Sequence, residues 1–173
     1  MQHPFTPIAS MDSAAQETLR ALNNANAEAT SYLDQPAWRA LVGASYLALA
    51  PDSADALLIA FGPRASYQSP NYRWFSKRYE KFLYVDRIVV SAEARGRGYA
   101  RALYAALADA AVENGMERIL CEVNRVPPNP GSDAFHERLG FVEVGRAHPY
   151  GDTKLVRYLA LELAAAGTPS GAR

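Results

Sequence analysis

Arg95-Gly96-Arg97-Gly98-Tyr99-Ala100 constrains this chain more than any other stretch, because it joins an apolar strand to an amphipathic helix. Residues 82–90, from Phe82 to Val90, are rich in β-branched and aromatic side chains and read as a strand. A helix begins near Gly98, with Ala100, Leu103, Tyr104, Leu107, Ala110 and Ala111 at helical spacing. The two glycines let the backbone turn tightly with no side chain in the way of an approaching group. Amides of such a turn point outward beside the positive end of the helix, which makes an anion site for phosphates. Arg95 and Arg97 add fixed positive charge. A dinucleotide-binding fingerprint fits poorly, since the glycine spacing is wrong and no βαβ repeat brackets the turn.

Read with its flanks, the segment resembles the acyl-CoA-binding motif of the GNAT superfamily of N-acetyltransferases. That motif runs Arg/Gln-x-x-Gly-x-Gly/Ala after a hydrophobic strand, and here it reads Arg95-x-x-Gly98-x-Ala100. A second block, Glu122-Val123-Asn124 followed by Asn129 to Phe141, is similar to the family's later strand–helix–strand segment. That segment usually ends in Phe-Tyr-x-x-x-Gly-Phe; Phe135-His136…Gly140-Phe141 matches it apart from the histidine. The resemblance covers roughly residues 80–162 well and the first 70 only in general layout.

The 173 residues suffice for one domain with a substantial core, expected over 1–166, with a flexible tail from Gly167. Eighteen basic and eighteen acidic residues cancel, so no global field recruits nucleic acid or an acidic membrane. Cys121 is the only cysteine, which excludes an internal disulfide and fits a reducing, cytoplasmic setting; it reads as a small buried hydrophobe. No run approaches the ~20 apolar residues of a membrane span, and the N-terminus lacks the pattern of a signal peptide. His3, His136 and His148 lack metal-ligand spacing, so no metal is expected.

Along the chain, residues 5–9 read as a short strand. A helix follows from a capping box at Ser13-Ala14-Ala15-Gln16 to the asparagines at 23–26. A second runs from Gln35 to about Val42, after Asp34 and with Pro36 in its first turn. Residues 46–50 and 56–61 read as strands, and 62–81 as a long polar and aromatic connection. After the glycine turn and its helix come a strand at 118–124, a helix capped by Asn129, and strands at 141–146 and 155–163. This order gives an α/β layer structure. The resemblance implies more: a mixed, mostly antiparallel sheet flanked by helices, whose two central strands splay apart to admit the pantetheine arm of acetyl-CoA.

Acetyl transfer needs a held thioester, a free amine, a stabilised oxyanion and a proton for the leaving thiolate. The resemblance implicates Ile88, Val89 and Val90 in pairing with pantetheine, though plain core strand explains the same residues. The turn Arg95, Gly96, Arg97, Gly98, Tyr99 and Ala100 would hold the pyrophosphate. Asn124, Asn129 and Ser132 would meet the cofactor further along, although helix capping alone explains Asn129. Asp86 is a carboxylate inside an apolar strand, where a lone charge is costly, and it lies where the family often has a general base. A structural ion pair with Arg73, Arg78 or Arg87 is the alternative. His136 stands where the family commonly carries a tyrosine acid; cofactor hydrogen bonding and a bland exposed histidine compete with that role. Tyr150, in the turn between the last strands, is the spare acid.

Residues 71–79 mix aromatics with basic groups, as single-stranded nucleic-acid sites do, but the zero net charge favours a pocket wall or simple packing. Asn23, Asn24 and Tyr32 lie where the family's first helices border the acceptor. The expectation is therefore an acetyl-CoA-dependent N-acetyltransferase acting on a small-molecule or peptide amine by direct attack in a ternary complex. Neither nucleic acid nor membrane is a partner in this reading, and a homodimer is compatible with it. A non-catalytic acyl-CoA-binding sensor is the competing class.

Overall fold

In a computed structural model, residues 4–164 are described, and one seven-stranded sheet organises them. The strands are β1 (Thr6–Pro7), β2 (Leu47–Ala50), β3 (Ala56–Phe61), β4 (Phe82–Val90), β5 (Arg118–Val126), β6 (Val142–Ala147) and β7 (Leu155–Glu162). Their order is β1-β2-β3-β4-β5-β7-β6, antiparallel at every pairing except β4 with β5. The helices are α1 (Ser13–Ala25), α2 (Ala27–Thr30), α3 (Gln35–Ala44), α4 (Pro70–Ser76), α5 (Tyr99–Glu113) and α6 (Pro130–Arg138). The tail expected from Gly167, and the domain end at 166, lie outside the described residues.

Alternation along the strands sorts side chains into two cores, one on each face of the sheet. Phe82 and Tyr84 of β4 and Leu120 of β5 pack with Leu19 of α1, Trp38 of α3 and Phe75 of α4. Leu83 and Val85, with Ile119, Cys121 and Val123, pack instead under Leu103, Tyr104, Leu107 and Ala111 of α5. The interior strand β3 is buried throughout, as its unbroken apolar run requires.

Two irregularities make the site. Parallel pairing of β4 with β5 stops after Phe82↔Arg118, Leu83↔Ile119 and Tyr84↔Leu120, although both strands continue for six more residues. Beyond Tyr84 the facing backbone edges have no strand partner, which is the splay the resemblance implied. The second irregularity is a bulge in β4. Ile59 pairs with Arg87 but Ala60 with Val85, so Asp86 is the extra residue. Because the period of a strand is two, one inserted residue places Asp86 and Arg87 on the same face.

Several local expectations change. Asp12, not Ser13, caps α1, its Oδ1 accepting from the Ala15 amide at 2.8 Å. Only Thr6–Pro7 of the expected first strand pairs, and Ile8–Ser10 form a 3₁₀ turn. The connection 62–81 contains α4, started by Ser69 as cap and Pro70 in the first turn. The glycine turn lies in one parallel βαβ unit, β4–α5–β5, and no second such unit occurs among the described strands. Gly98 itself is the N-cap of α5 at φ +86°, a left-handed conformation that a side chain makes costly.

Candidate active site

Three compartments border β4 and the gap between it and β5. The mouth, about 420 Å³, is bordered by Val90, Arg95, Gly96, Gly98, Tyr99 and Ala100, with Phe135 and Arg138 of α6 opposite. A Cβ built on Gly96 or Gly98 would meet nothing within 4 Å, so the turn presents bare backbone to open space. Exposed amides at the start of α5, with arginines beside them, suit a pyrophosphate.

Between the splayed strands lies a cleft of about 100 Å³, with Val85 to Ile88 on one wall and Cys121 to Asn124 on the other. Asn129, Ser132 and His136 close it from the side of α6. Ile88 borders this cleft and Val90 the mouth, while Val89 is packed in the core on the other face. Arg97 is exposed on the turn. Asn129 does cap α6, its Oδ1 accepting from the Ser132 amide at 3.2 Å, and it borders the cleft as well.

A third compartment, about 130 Å³, shares Asp86, Arg87, Glu122 and Lys154 with the cleft. Its remaining walls come from α2, from Tyr67, Ser69 and Asn71, and from Tyr150 in the β6–β7 turn. Asp86 reaches this junction, but both of its oxygens are engaged. Oδ1 accepts from the Tyr67 hydroxyl at 2.6 Å and Oδ2 from Arg87 Nε at 2.8 Å. That ion pair is enclosed, with side-chain exposures of 7% and 4%, and Arg87 Nη1 also donates to Asn23 Oδ1 at 2.9 Å. Asn23 thus braces the arginine from α1, and Asn24 Oδ1 accepts from the Leu33 amide to hold the chain before α3. Tyr32 is exposed at the surface.

Glu122 is the group the sequence reading passed over. It follows Leu120 by two residues on β5 and therefore faces Asp86 across the splay. Its Oε1 accepts from Asn71 Nδ2 at 2.9 Å and from the Tyr84 hydroxyl at 3.1 Å. Asn71 is itself fixed by the Tyr158 hydroxyl, which donates to its Oδ1 at 2.9 Å. Oε2 is buried and has no partner among the described residues. Burial first, then the charge of Asp86, pushes the Glu122 carboxyl up to about 8, against the pull of the Tyr84 and Asn71 bonds. A carboxylate beside the apolar run Ile119, Leu120, Cys121 and Val123 was a usable signal, of the kind that singled out Asp86.

His136 is only 3% exposed. Its Nδ1 lies 2.8 Å from the Ser132 carbonyl, which can only accept, so that nitrogen carries the proton. Nε2 then accepts from the Tyr104 hydroxyl at 2.7 Å. Burial lowers the pKa of the imidazole, and the Ser132 bond and Asp133 charge only partly oppose it. His136 is thus a neutral ring with both nitrogens occupied. Tyr150 is half-open to solvent, and burial followed by the charges of Glu122 and Asp86 raises its pKa, so the phenol keeps its proton.

The basic-aromatic segment 71–79 is largely packing: Trp74 stacks on Tyr158 at 4.2 Å and Phe75 is buried, while Asn71 reaches the site. Among the described residues, no group of three or more His, Cys, Asp or Glu side chains is placed to hold a metal, and no helix is long and apolar enough to cross a membrane.

Comparison with known proteins gives the same architecture. The ribosomal-protein-S18-alanine N-acetyltransferase of Escherichia coli superposes with a TM-score of 0.65 at 18% identity, covering 96% of this chain and 97% of that one. An aminoglycoside 6'-N-acetyltransferase complexed with coenzyme A gives 0.68 at 13% identity, over 93% and 97%. The NatC complex bound to Gag peptide and CoA gives 0.67 at 16%, over 95% and 100%. At such identities the likeness is one of fold. No curated protein matches the sequence. The sequence profile of the acetyltransferase (GNAT) family matches residues 17–141, and the chain belongs to that family.

Proposed function

We propose that the protein is an N-acetyltransferase that moves the acetyl group of acetyl-CoA to a primary amine by direct attack in a ternary complex. One observation carries this reading: the buried, unpartnered Oε2 of Glu122 lies where the cleft between the strands meets the third compartment, on a carboxyl titrating at about 8. A base near neutral pH in that position can take a proton from an incoming ammonium. The coenzyme A bound in relatives of the same fold supports cofactor entry at the mouth, with pyrophosphate on the turn Arg95–Ala100. The pantetheine would extend along Ile88 and Val90 toward Asn124, occupying the unpaired edge of β4.

In this mechanism Glu122 takes one proton from the ammonium, and the free amine attacks the thioester carbonyl carbon. The oxyanion is stabilised by a backbone amide of β4 beyond the bulge. The attacking nitrogen gives its second proton to water, and collapse of the tetrahedral intermediate breaks the C–S bond to leave a neutral amide and a thiolate. Asp86, committed to Arg87 and Tyr67, raises the basicity of Glu122 through its charge and takes no proton itself. His136, with both nitrogens bonded, positions Tyr104 and the cleft wall. The proton for the thiolate is assigned to the Tyr150 phenol, which borders the third compartment.

Thiol release from acetyl-CoA with a panel of primary amines tests the reading. Amine-dependent release that disappears in Glu122→Gln supports it. Coenzyme A binding without turnover on any amine would replace it with a sensor role.

A further inference from the structure

The third compartment has a charge pattern that bears on which amines fit. It presents two carboxyls, Asp86 and Glu122, and two cations, Arg87 and Lys154. Asp86 and Arg87 neutralise each other in the enclosed ion pair. Glu122 is taken up by the reacting amine in the proposed function, on which this inference rests. Lys154 is left over. It is half-buried, borders both the cleft and the third compartment, and has no ion-pair partner among the described residues. Its one close side-chain contact of note is the face of Tyr150, at 5.5 Å from the ring centroid.

A partly desolvated ammonium beside a substrate pocket, with no carboxylate of its own, is a binding site for an anionic group of the ligand. It also repels a second positive charge on that ligand. Ala27, Ala29, Thr30, Ser31 and Ser69 add small side chains to a wall completed by Tyr67, Asn71 and Tyr150. The space, about 130 Å³ and partly open to solvent, falls well below the ~300–1,000 Å³ typical of drug-sized ligands. From the unpaired cation, the base that lines the same space and the small volume, we infer that the acceptor is a small free amino acid. Its amine lies on Glu122 and its carboxylate on Lys154. Polyamines and polycationic amines are disfavoured because Lys154 meets their second charge. Peptide N-termini are disfavoured because a neutral amide stands where the carboxylate should be.

Steady-state kinetics with matched acceptors tests this, each amino acid being compared with its own carboxamide and with the amine lacking the carboxyl group. The expected result is a kcat/KM at least tenfold higher for free amino acids. Lys154→Gln should shrink that acid-to-amide ratio at least tenfold, mainly through KM of the acceptor, and Lys154→Glu should invert it. Equal or better use of the amides or diamines, or a Lys154→Gln effect confined to the KM of acetyl-CoA, overturns this inference while leaving the acetyltransferase reading intact. Failure of every amine to turn over overturns both.

Discussion

Replacing Glu122 by glutamine removes the charge but keeps the shape, and two opposite consequences follow. The glutamine carbonyl can accept the same bonds from Tyr84 and Asn71 that Oε1 accepts, so the local packing survives. In the wild-type fold the carboxyl titrates at about 8, against 4.5 in its reference state. The neutral form is the one the fold favours. Its stabilising contribution is therefore fully present below pH 4.5 and is lost as pH rises toward and through about 8. Each unit between those limits is worth ~1.4 kcal/mol, so by pH 7 the wild type has given up at most about 3 kcal/mol that Glu122→Gln keeps. With ~2–4 °C of Tm per kcal/mol in a chain of this size, the variant should gain roughly 6–12 °C on the wild type between pH 4.5 and 7. Its activity should move the other way. Above pH 8 the wild-type kcat/KM should exceed that of the variant by ~10²–10⁴, the usual contribution of a general base. Below pH 8 that ratio should fall about tenfold per unit as Glu122 takes up its proton. Thermal melts and pH–rate profiles with one good acceptor measure both effects, and the acceptor's own titration cancels in the ratio. A Tm difference that stays flat from pH 4.5 to 8, or an acid limb retained in Glu122→Gln, would refute the assignment.

Asp86→Asn should cost ~3–5 kcal/mol, because enclosed Arg87 would keep Asn23 Oδ1 but lose its counter-charge. It should also shift the acid limb of kcat/KM to lower pH, since the Asp86 charge helps raise Glu122; loss of the limb altogether would make Asp86 the base. Gly98→Val forces a branched side chain to φ +86°, which should cost ~1–2 kcal/mol and reduce coenzyme A affinity at least tenfold by calorimetry. Unchanged affinity in a folded variant would remove the turn from the cofactor site. Gly145→Ala brings a Cβ to 2.6 Å from Trp74 Cζ2, so denaturant melts should show a loss of ~1–3 kcal/mol. No loss would mean that the Trp74–Tyr158 stack yields easily.

What the sequence determined by itself was whatever depends on neighbours along the chain. The strand 82–90 and the start of α5 at Gly98 are legible because alternation, helical spacing and glycine are local properties. The cap at Asn129 with Pro130 after it is legible for the same reason, and its structure follows the reading. The short α4 was hidden in an aromatic, basic segment whose composition outweighed its Ser69-Pro70 start. His136 was legible as a position but not as a state, because its bond to Tyr104 joins α6 to α5. The choice of Glu122 as the proposed base rests on tertiary contacts alone. Asp86 and Glu122 belong to strands separated by a whole helix, and neither residue's local pattern says which one keeps a free oxygen. A bulge in β4 turns Asp86 and Arg87 to the same face and ties them together. The end of β4–β5 pairing at Tyr84 opens the space above Glu122. The energy of a carboxyl depends on burial, counter-charge and hydrogen bonds that come from distant parts of the chain, so its role in the site became visible only when those parts met.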